Sequence, residues 1–186
     1  MTQDGQVEGT QPTRGRLRAF NKSLPMALLR AREAVMRQFR PSLNSYGITE
    51  QQWRVLRALT SVDTIEVLEL ASATFLLAPS LSRILKDLDD RALILRRTSD
   101  TDLRRGLVSI SPAGRALIER AGHTSEAIYS QITSRFGAEK LKALHDLLTA
   151  LEECLEEPVV IEPRDDQMPI SVAKSRRPGR PLKSAD

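Results

Sequence analysis

Three sets of polar side chains in this 186-residue chain have types and spacings that suit the recognition of negative charge. The first is Pro79, Ser80, Ser82 and Arg83 in "APSLSRILKDL". Small hydrogen-bonding side chains and a guanidinium open a helical pattern there, while Leu81, Ile84, Leu85 and Leu88 fall on the face that packs inward. The second is Asp102, Arg104 and Arg105 in "TSDTDLRRGLVSIS", a charged knot between two short alternating stretches. Arginines at such a tip neutralise phosphates or enter a narrow groove, and Asp102 is placed to hold one of them. The third is Arg32, which lies on the apolar face formed by Leu28, Val35, Met36 and Phe39. A charge there needs a partner. One candidate is a salt bridge, near Glu33 or to a glutamate of the last helix. The other is a bound carboxylate, which a planar guanidinium suits.

Other chemistries find little support. The single cysteine, Cys154, excludes an intrachain disulfide, and neither it nor His123 and His145 has metal-ligand spacing. Glu152, Glu153, Glu156 and Glu157 surround Cys154, which argues for a packed or inert thiol over a redox sensor. There is no nucleophile–base pair and no phosphate loop, so an enzyme is not expected. No apolar run approaches the roughly 20 residues of a membrane helix, and the N-terminus lacks a signal-peptide core. The expected location is cytoplasmic, without membrane contact. Net charge is +4, but residues 24–157 hold 18 basic and 18 acidic side chains, so the excess lies in the two tails. Any contact with nucleic acid in the central region must come from local placement of arginines.

The elements that position these residues follow from periodicity. "SLPMALLRAREAVMRQFRPSL" has helical spacing, with Ser23 as cap, Pro25 in the first turn and Pro41 near the far end. In "YGITEQQWRVLRAL", Gly47 punctuates, and Thr49 with Gln52 forms a capping box ahead of Trp53, Leu56 and Leu59. "IEVLELASATF" and "LLAPSLSRILKDLDDRAL" read as two short helices joined by a tight connection. The period then drops to about 2, so "LILRRTS" and "GLVSIS" form a β-hairpin with the charged tip between them. Ser111-Pro112 starts a long helix to about Arg135, Phe136-Gly137 interrupts it, and "AEKLKALHDLLTALEECLEE" forms a last one. Leu117, Ile128, Ile132 and the stripe from Leu141 to Leu155 are more apolar surface than a small monomer hides, which favours a homodimer.

Two short helices, a turn and a hairpin make the order of a winged helix-turn-helix: mainly α, with a small β wing. A B-form major groove about 12 Å wide admits one such helix. The motifs "ITEQQWRVLRAL", "PSLSRIL" and Asp102-Leu103-Arg104-Arg105 followed by Val108-Ser109-Ile110-Ser111 together resemble the MarR family of winged-helix transcription regulators. The resemblance spans roughly residues 24–157. Within the family, "LLRAREAVMRQFRPSLN" with "TEQQWRVLRAL" is similar to the repressors of homoprotocatechuate-degradation operons. One departure is Ala92, where the family usually has glycine.

The resemblance implies a regulator of aromatic-catabolism genes that binds a palindromic operator in double-stranded DNA. It also implies that the N- and C-terminal helices form the dimer, and that a pocket lies between them and the DNA-reading lobe. There Arg32 and Trp53 would meet a small aromatic acid whose binding releases DNA. The expected organisation is a disordered tail over 1–22, a folded domain over 23–157 with its DNA-reading lobe at about 49–111, and a disordered basic tail over 158–186. In that last tail Arg176 to Pro181 is similar to an AT-hook, with Pro178 in place of the usual arginine. The competing readings are a winged-helix module for protein contact and a DNA-binding protein without an effector.

Overall fold

The computed structural model describes residues 19–98 and 106–157. The wing residues Asp102, Arg104 and Arg105, residues 1–18 and the AT-hook-like tail lie outside the described residues. A 3-10 turn, Phe20–Lys22, falls inside the stretch expected to carry no structure.

Helix α1 (Leu24–Ser45) has Pro25 in its first turn and runs through Pro41. Ser23 stands at its N-cap, but the hydroxyl donates to the Phe20 carbonyl at 2.9 Å instead of accepting from the helix. The helix ends where Gly47 takes φ +67°. There the Gly47 N–H donates to Asn44 at 2.9 Å and the Ile48 N–H to Leu43 at 3.1 Å. Those paired bonds use carbonyls that a helix end leaves without partners, and they fold Ile48 back over Leu43, both buried.

Helix α2 (Glu50–Leu59) starts with the expected capping box: the Gln52 N–H donates to Thr49 Oγ1 at 3.2 Å and the Thr49 N–H to Gln52 Oε1 at 2.8 Å. It buries Val55, Leu56 and Leu59, whereas Trp53 is half-buried.

The stretch read as one helix from Ile65 divides. Ile65–Glu66 form a strand, β1, and helix α3 covers only Val67–Thr74. After α4 (Ala78–Asp90) come β2 (Ile94–Thr98) and β3 (Gly106–Ile110). The wing is therefore a three-stranded antiparallel sheet of order β1-β3-β2, not a hairpin alone. Ile65 faces Val108 across the β1–β3 pair, and Ile94 faces Ile110 across β2–β3. A two-residue strand is too short to show a period, and its partner lies some 40 residues away in sequence.

Helix α5 (Pro112–Phe136) starts on Ser111, whose Oγ accepts the Gly114 N–H at 3.0 Å. Its Leu117 and Ile118 are buried, and Ile128 and Ile132 pack on the same core. Of Leu117, Ile128 and Ile132, expected to be exposed unless a second copy covers them, the first is buried within one chain and the other two are partly buried. The core joins the end of α1, the inner faces of α2, α3 and α4, the base of the sheet and the first half of α5. Helix α6 (Ala138–Cys154) belongs to a second compact unit and contains no buried residue. Cys154, expected to be packed or inert, is exposed. Among the described residues no single helix is long and apolar enough to cross a membrane.

Candidate functional site

Helices α3 and α4 meet at a bend of 108°. The corner is built by the same pair of backbone bonds that ends α1: the Phe75 N–H donates to Ser72 at 3.2 Å and the Leu76 N–H to Ala71 at 3.0 Å. Here the left-handed position, φ 51°, holds a phenylalanine. Pro79 lies in the first turn of α4, where a missing N–H costs the helix nothing. Leu81, Leu85 and Leu88 are buried, which fixes the rotation of α4 about its axis. Pro79, Ser80, Ser82 and Arg83 are consequently exposed. The Ser82 hydroxyl donates back to the Ala78 carbonyl at 2.9 Å, leaving its lone pairs outward. Arg83 has no hydrogen bond or ion pair with another described residue.

Charge is sorted along α4. Its acids lie toward the C-terminal end, and two of the three are engaged: Asp87 accepts from Gln52 Nε2 at 2.7 Å and from Arg91 at 3.4 Å, and Asp90 from Lys86 at 2.8 Å. The N-terminal half therefore presents hydroxyls and a free guanidinium without a competing carboxylate of its own.

The link from α4 to the wing is rigid. Ala92 takes φ 53°, with its N–H donating to Asp89 at 2.8 Å and the Leu93 N–H to Leu88 at 2.9 Å. The Ser111 hydroxyl donates to the Ala92 carbonyl at 2.7 Å and the Ser111 N–H to Leu93 at 3.1 Å. Gly114 packs so closely that a Cβ there would lie 2.1 Å from the Leu93 carbonyl oxygen. On β2, Arg96 and Arg97 are exposed, and Arg97 Nη2 donates to Thr64 Oγ1 at 3.3 Å, tying the outer strand to the segment before β1. These two arginines were not singled out from the sequence. The signal was their position in an alternating strand leading to the charged tip.

A cavity of about 390 Å³ opens between α1 and α2, closed at one side by Phe75 and Tyr129. Both Arg32 and Trp53 line it. Arg32 pairs with Glu33 at 3.0 Å and also with Glu50. Its salt-bridge partners are thus its neighbour Glu33 and a glutamate at the start of α2 rather than one on the last helix, because α1 lies against α2. Glu50, with a side chain 10% exposed, also receives Arg40 at 3.1 Å and Arg54 at 3.2 Å. Arg40 bridges on to Glu33 at 2.8 Å. The hydrogen bond from Arg40 and the charges of Arg40, Arg32 and Arg37 hold the Glu33 carboxyl below its ordinary value. The remaining walls are apolar and aromatic. Arg57 lies 5.8 Å from the Trp53 ring centroid, and Phe39 and Tyr129 meet at 4.9 Å.

Three guanidiniums, of Arg32, Arg54 and Arg57, thus line an apolar and aromatic space together with the Glu50 carboxylate. That arrangement favours a planar anion, since a guanidinium fork pairs with a carboxylate and stacks on rings. Glu50, Arg54 and Arg57 were not identified from the sequence, although Glu50–Arg54 and Trp53–Arg57 have the i,i+4 spacing of one helix face.

Residues 46–105 match the model of the MarR family. The chain is 40% identical over 129 residues to the homoprotocatechuate degradative operon repressor of Escherichia coli, covering 69% of this chain and 87% of that protein. It is 39% identical over 129 residues to the HTH-type transcriptional regulator FarR of Neisseria gonorrhoeae, covering 69% and 88%. Among solved structures, NadR in complex with 4-hydroxyphenylacetate superimposes with a TM-score of 0.63 at 37% identity, covering 73% of this chain and 96% of that one.

Proposed function

The chain belongs to the MarR family of transcriptional regulators, and from that premise we propose that it is a dimeric repressor of aromatic-catabolism genes, released from its operator by a small aromatic acid. The observation that carries the DNA-binding part is the exposed Arg83, without a partner among the described residues, beside Ser80 and Ser82 on a helix anchored by three buried leucines. A helix so held offers its polar edge to the major groove, where a guanidinium reads guanine. Pro79 packs at the entry. Arg104 and Arg105, which with Asp102 lie in sequence between β2 and β3, supply positive charge for phosphates or the minor groove. Work on chromosomal DNA implies a cytoplasmic location.

The effector reading rests on the pocket. Arg32 offers the guanidinium and Trp53 the aromatic wall, and NadR, of similar sequence and fold, is seen with an aromatic acid. The second copy docks on the outer helices. Leu24, Leu28, Leu29 and Val35 of α1 are each at least 40% exposed, as are Tyr129 and Phe136 of α5 and Leu144 and Leu147 of α6. Apolar surface of that extent is uncommon on a lone soluble chain.

Titration of random-sequence duplex at increasing salt tests the first part: phosphate contacts require affinity to fall linearly on a log–log plot, whereas a module for protein contact shows no such binding. Trp53 is the sole tryptophan, so its fluorescence on addition of 4-hydroxyphenylacetate tests the second part. A second reading, DNA binding without an effector, is favoured by one observation: Glu33 and Glu50 already satisfy Arg32. Operator release by the aromatic acid, blunted in Arg32→Ala, separates the two. If parent and variant respond alike, Arg32 serves only the ion-pair network.

A further inference from the structure

Arg54 stands between the pocket and the corner that aims α4. Its Nη2 donates to Glu50 Oε1 at 3.2 Å, and its Nη1 donates to the Thr74 carbonyl at 2.9 Å. Thr74 is the last residue of α3, so that carbonyl is one of the acceptors the helix leaves without a partner. A guanidinium there also meets the negative end of the helix dipole. The next residue is Phe75, left-handed at φ 51°, a conformation that a bulky side chain adopts only under constraint. Phe75 is 90% exposed and yet lines the pocket. Three residues further on, α4 begins. One side chain therefore touches both the pocket's carboxylate and the backbone that directs the DNA-reading helix.

We infer that Arg54 is the positioning residue that transmits occupancy of the pocket to α4. The inference rests on the effector reading above and adds its route. Among the described residues Glu50 is the only acid lining the pocket, and Arg32, Arg40 and Arg54 share it. An incoming carboxylate competes with Glu50 for the same N–H donors. When Arg54 turns to the ligand, the Thr74 carbonyl loses its donor and the strained Phe75 corner loses its brace. The ligand thus favours a second setting of α4 because the two settings differ in their contacts to it.

The test uses the full chain, 4-hydroxyphenylacetate as probe, and the duplex that the parent protein enriches from a randomised pool. Trp53 fluorescence reads pocket occupancy and fluorescence anisotropy of the duplex reads DNA affinity. In the parent, the probe weakens duplex affinity by a factor in the range of about 5 to 150 that is usual for coupled sites, and the duplex weakens probe affinity by the same factor. In Arg54→Gln the probe still alters Trp53 fluorescence, but the factor falls close to one. Arg54→Lys keeps the charge with a single nitrogen in place of the fork, so it holds Thr74 and Glu50 less well together and gives an intermediate factor. That partial rescue is not expected of a residue needed only for folding, and it keeps the test decisive if the glutamine variant is unstable. Parental coupling in both variants overturns the inference alone. A parent whose Trp53 fluorescence and duplex affinity ignore the probe overturns the effector reading itself, and the inference with it.

Discussion

Ala92 occupies a left-handed position, φ 53°, that glycine adopts freely. The Cβ is tolerated because the two backbone bonds at the end of α4 and the Ser111 hydroxyl on its carbonyl hold the turn. Ala92→Gly is expected to stabilise the protein by up to about 1 kcal/mol in urea unfolding. Glu33 gives a pH signature of known sign. Its carboxyl titrates below the ordinary 4.5, chiefly through the Arg40 hydrogen bond. A group with a folded-state pKa below its unfolded one stabilises the fold fully above the unfolded value, and that contribution is lost as pH falls through the lowered one. Glu33→Gln should therefore melt below the parent near neutral pH, with the two curves converging in a thermal series as pH falls through the lowered value. At the residue scale the sequence was informative about charge but not about partners. Arg32 stood out as a charge on an apolar face, yet its partner Glu50 became visible only when α1 was laid against α2.

Three helices end with the same pair of backbone bonds, at Gly47, Phe75 and Ala92. The first was legible as punctuation because its left-handed residue is a glycine, and Ala92 through the family's usual glycine there, whereas Phe75 carries no such signal. The capping box at Thr49 and the Ser111-Pro112 start were readable for the corresponding reason: their side chains declare the cap. The inner face of α4 was likewise legible from its leucine spacing, and three of the four residues expected to pack inward are fully buried. Strand β1 was not, since two residues carry no period and β3 alone determines the pairing. The wing is fixed to α5 through Gly114, where backbone meets backbone. Gly114→Ala forces a Cβ to 2.1 Å from the Leu93 oxygen. It should cost about 1–3 kcal/mol in chemical unfolding and lower duplex affinity by tilting the wing. Stability unchanged by that substitution would contradict the close packing of α5 on the sheet.

For the whole molecule, the proposed operator with two halves calls for a second copy of the chain. Of the apolar residues first expected to demand a second copy, Leu117 is buried and Ile128 and Ile132 pack partly buried on the core of one chain, whereas Leu144 and Leu155 of the C-terminal stripe are exposed. The outer faces of α1 and α5 add to the demand of that stripe. Sedimentation at micromolar concentration is expected to give twice the 20.8 kDa chain mass, and Leu28→Glu with Leu29→Glu to shift it toward monomer while weakening duplex binding. Dimeric mass unchanged in that variant would remove α1 from the interface. A two-fold dimer presents two copies of α4 about one helical turn of DNA apart, which is why a palindromic site is expected.

Arg83 is the exposed guanidinium on α4 with no partner among the described residues, and DNA reading by α4 depends on it most directly. Its decisive measurement is anisotropy of the selected duplex with the parent and with Arg83→Ala, at one salt concentration and beside a random duplex. A base-reading arginine predicts a loss of about 5- to 150-fold on the selected duplex, with a much smaller change on the random one. Equal affinities of parent and variant for the selected duplex would contradict the placement of α4 in the major groove.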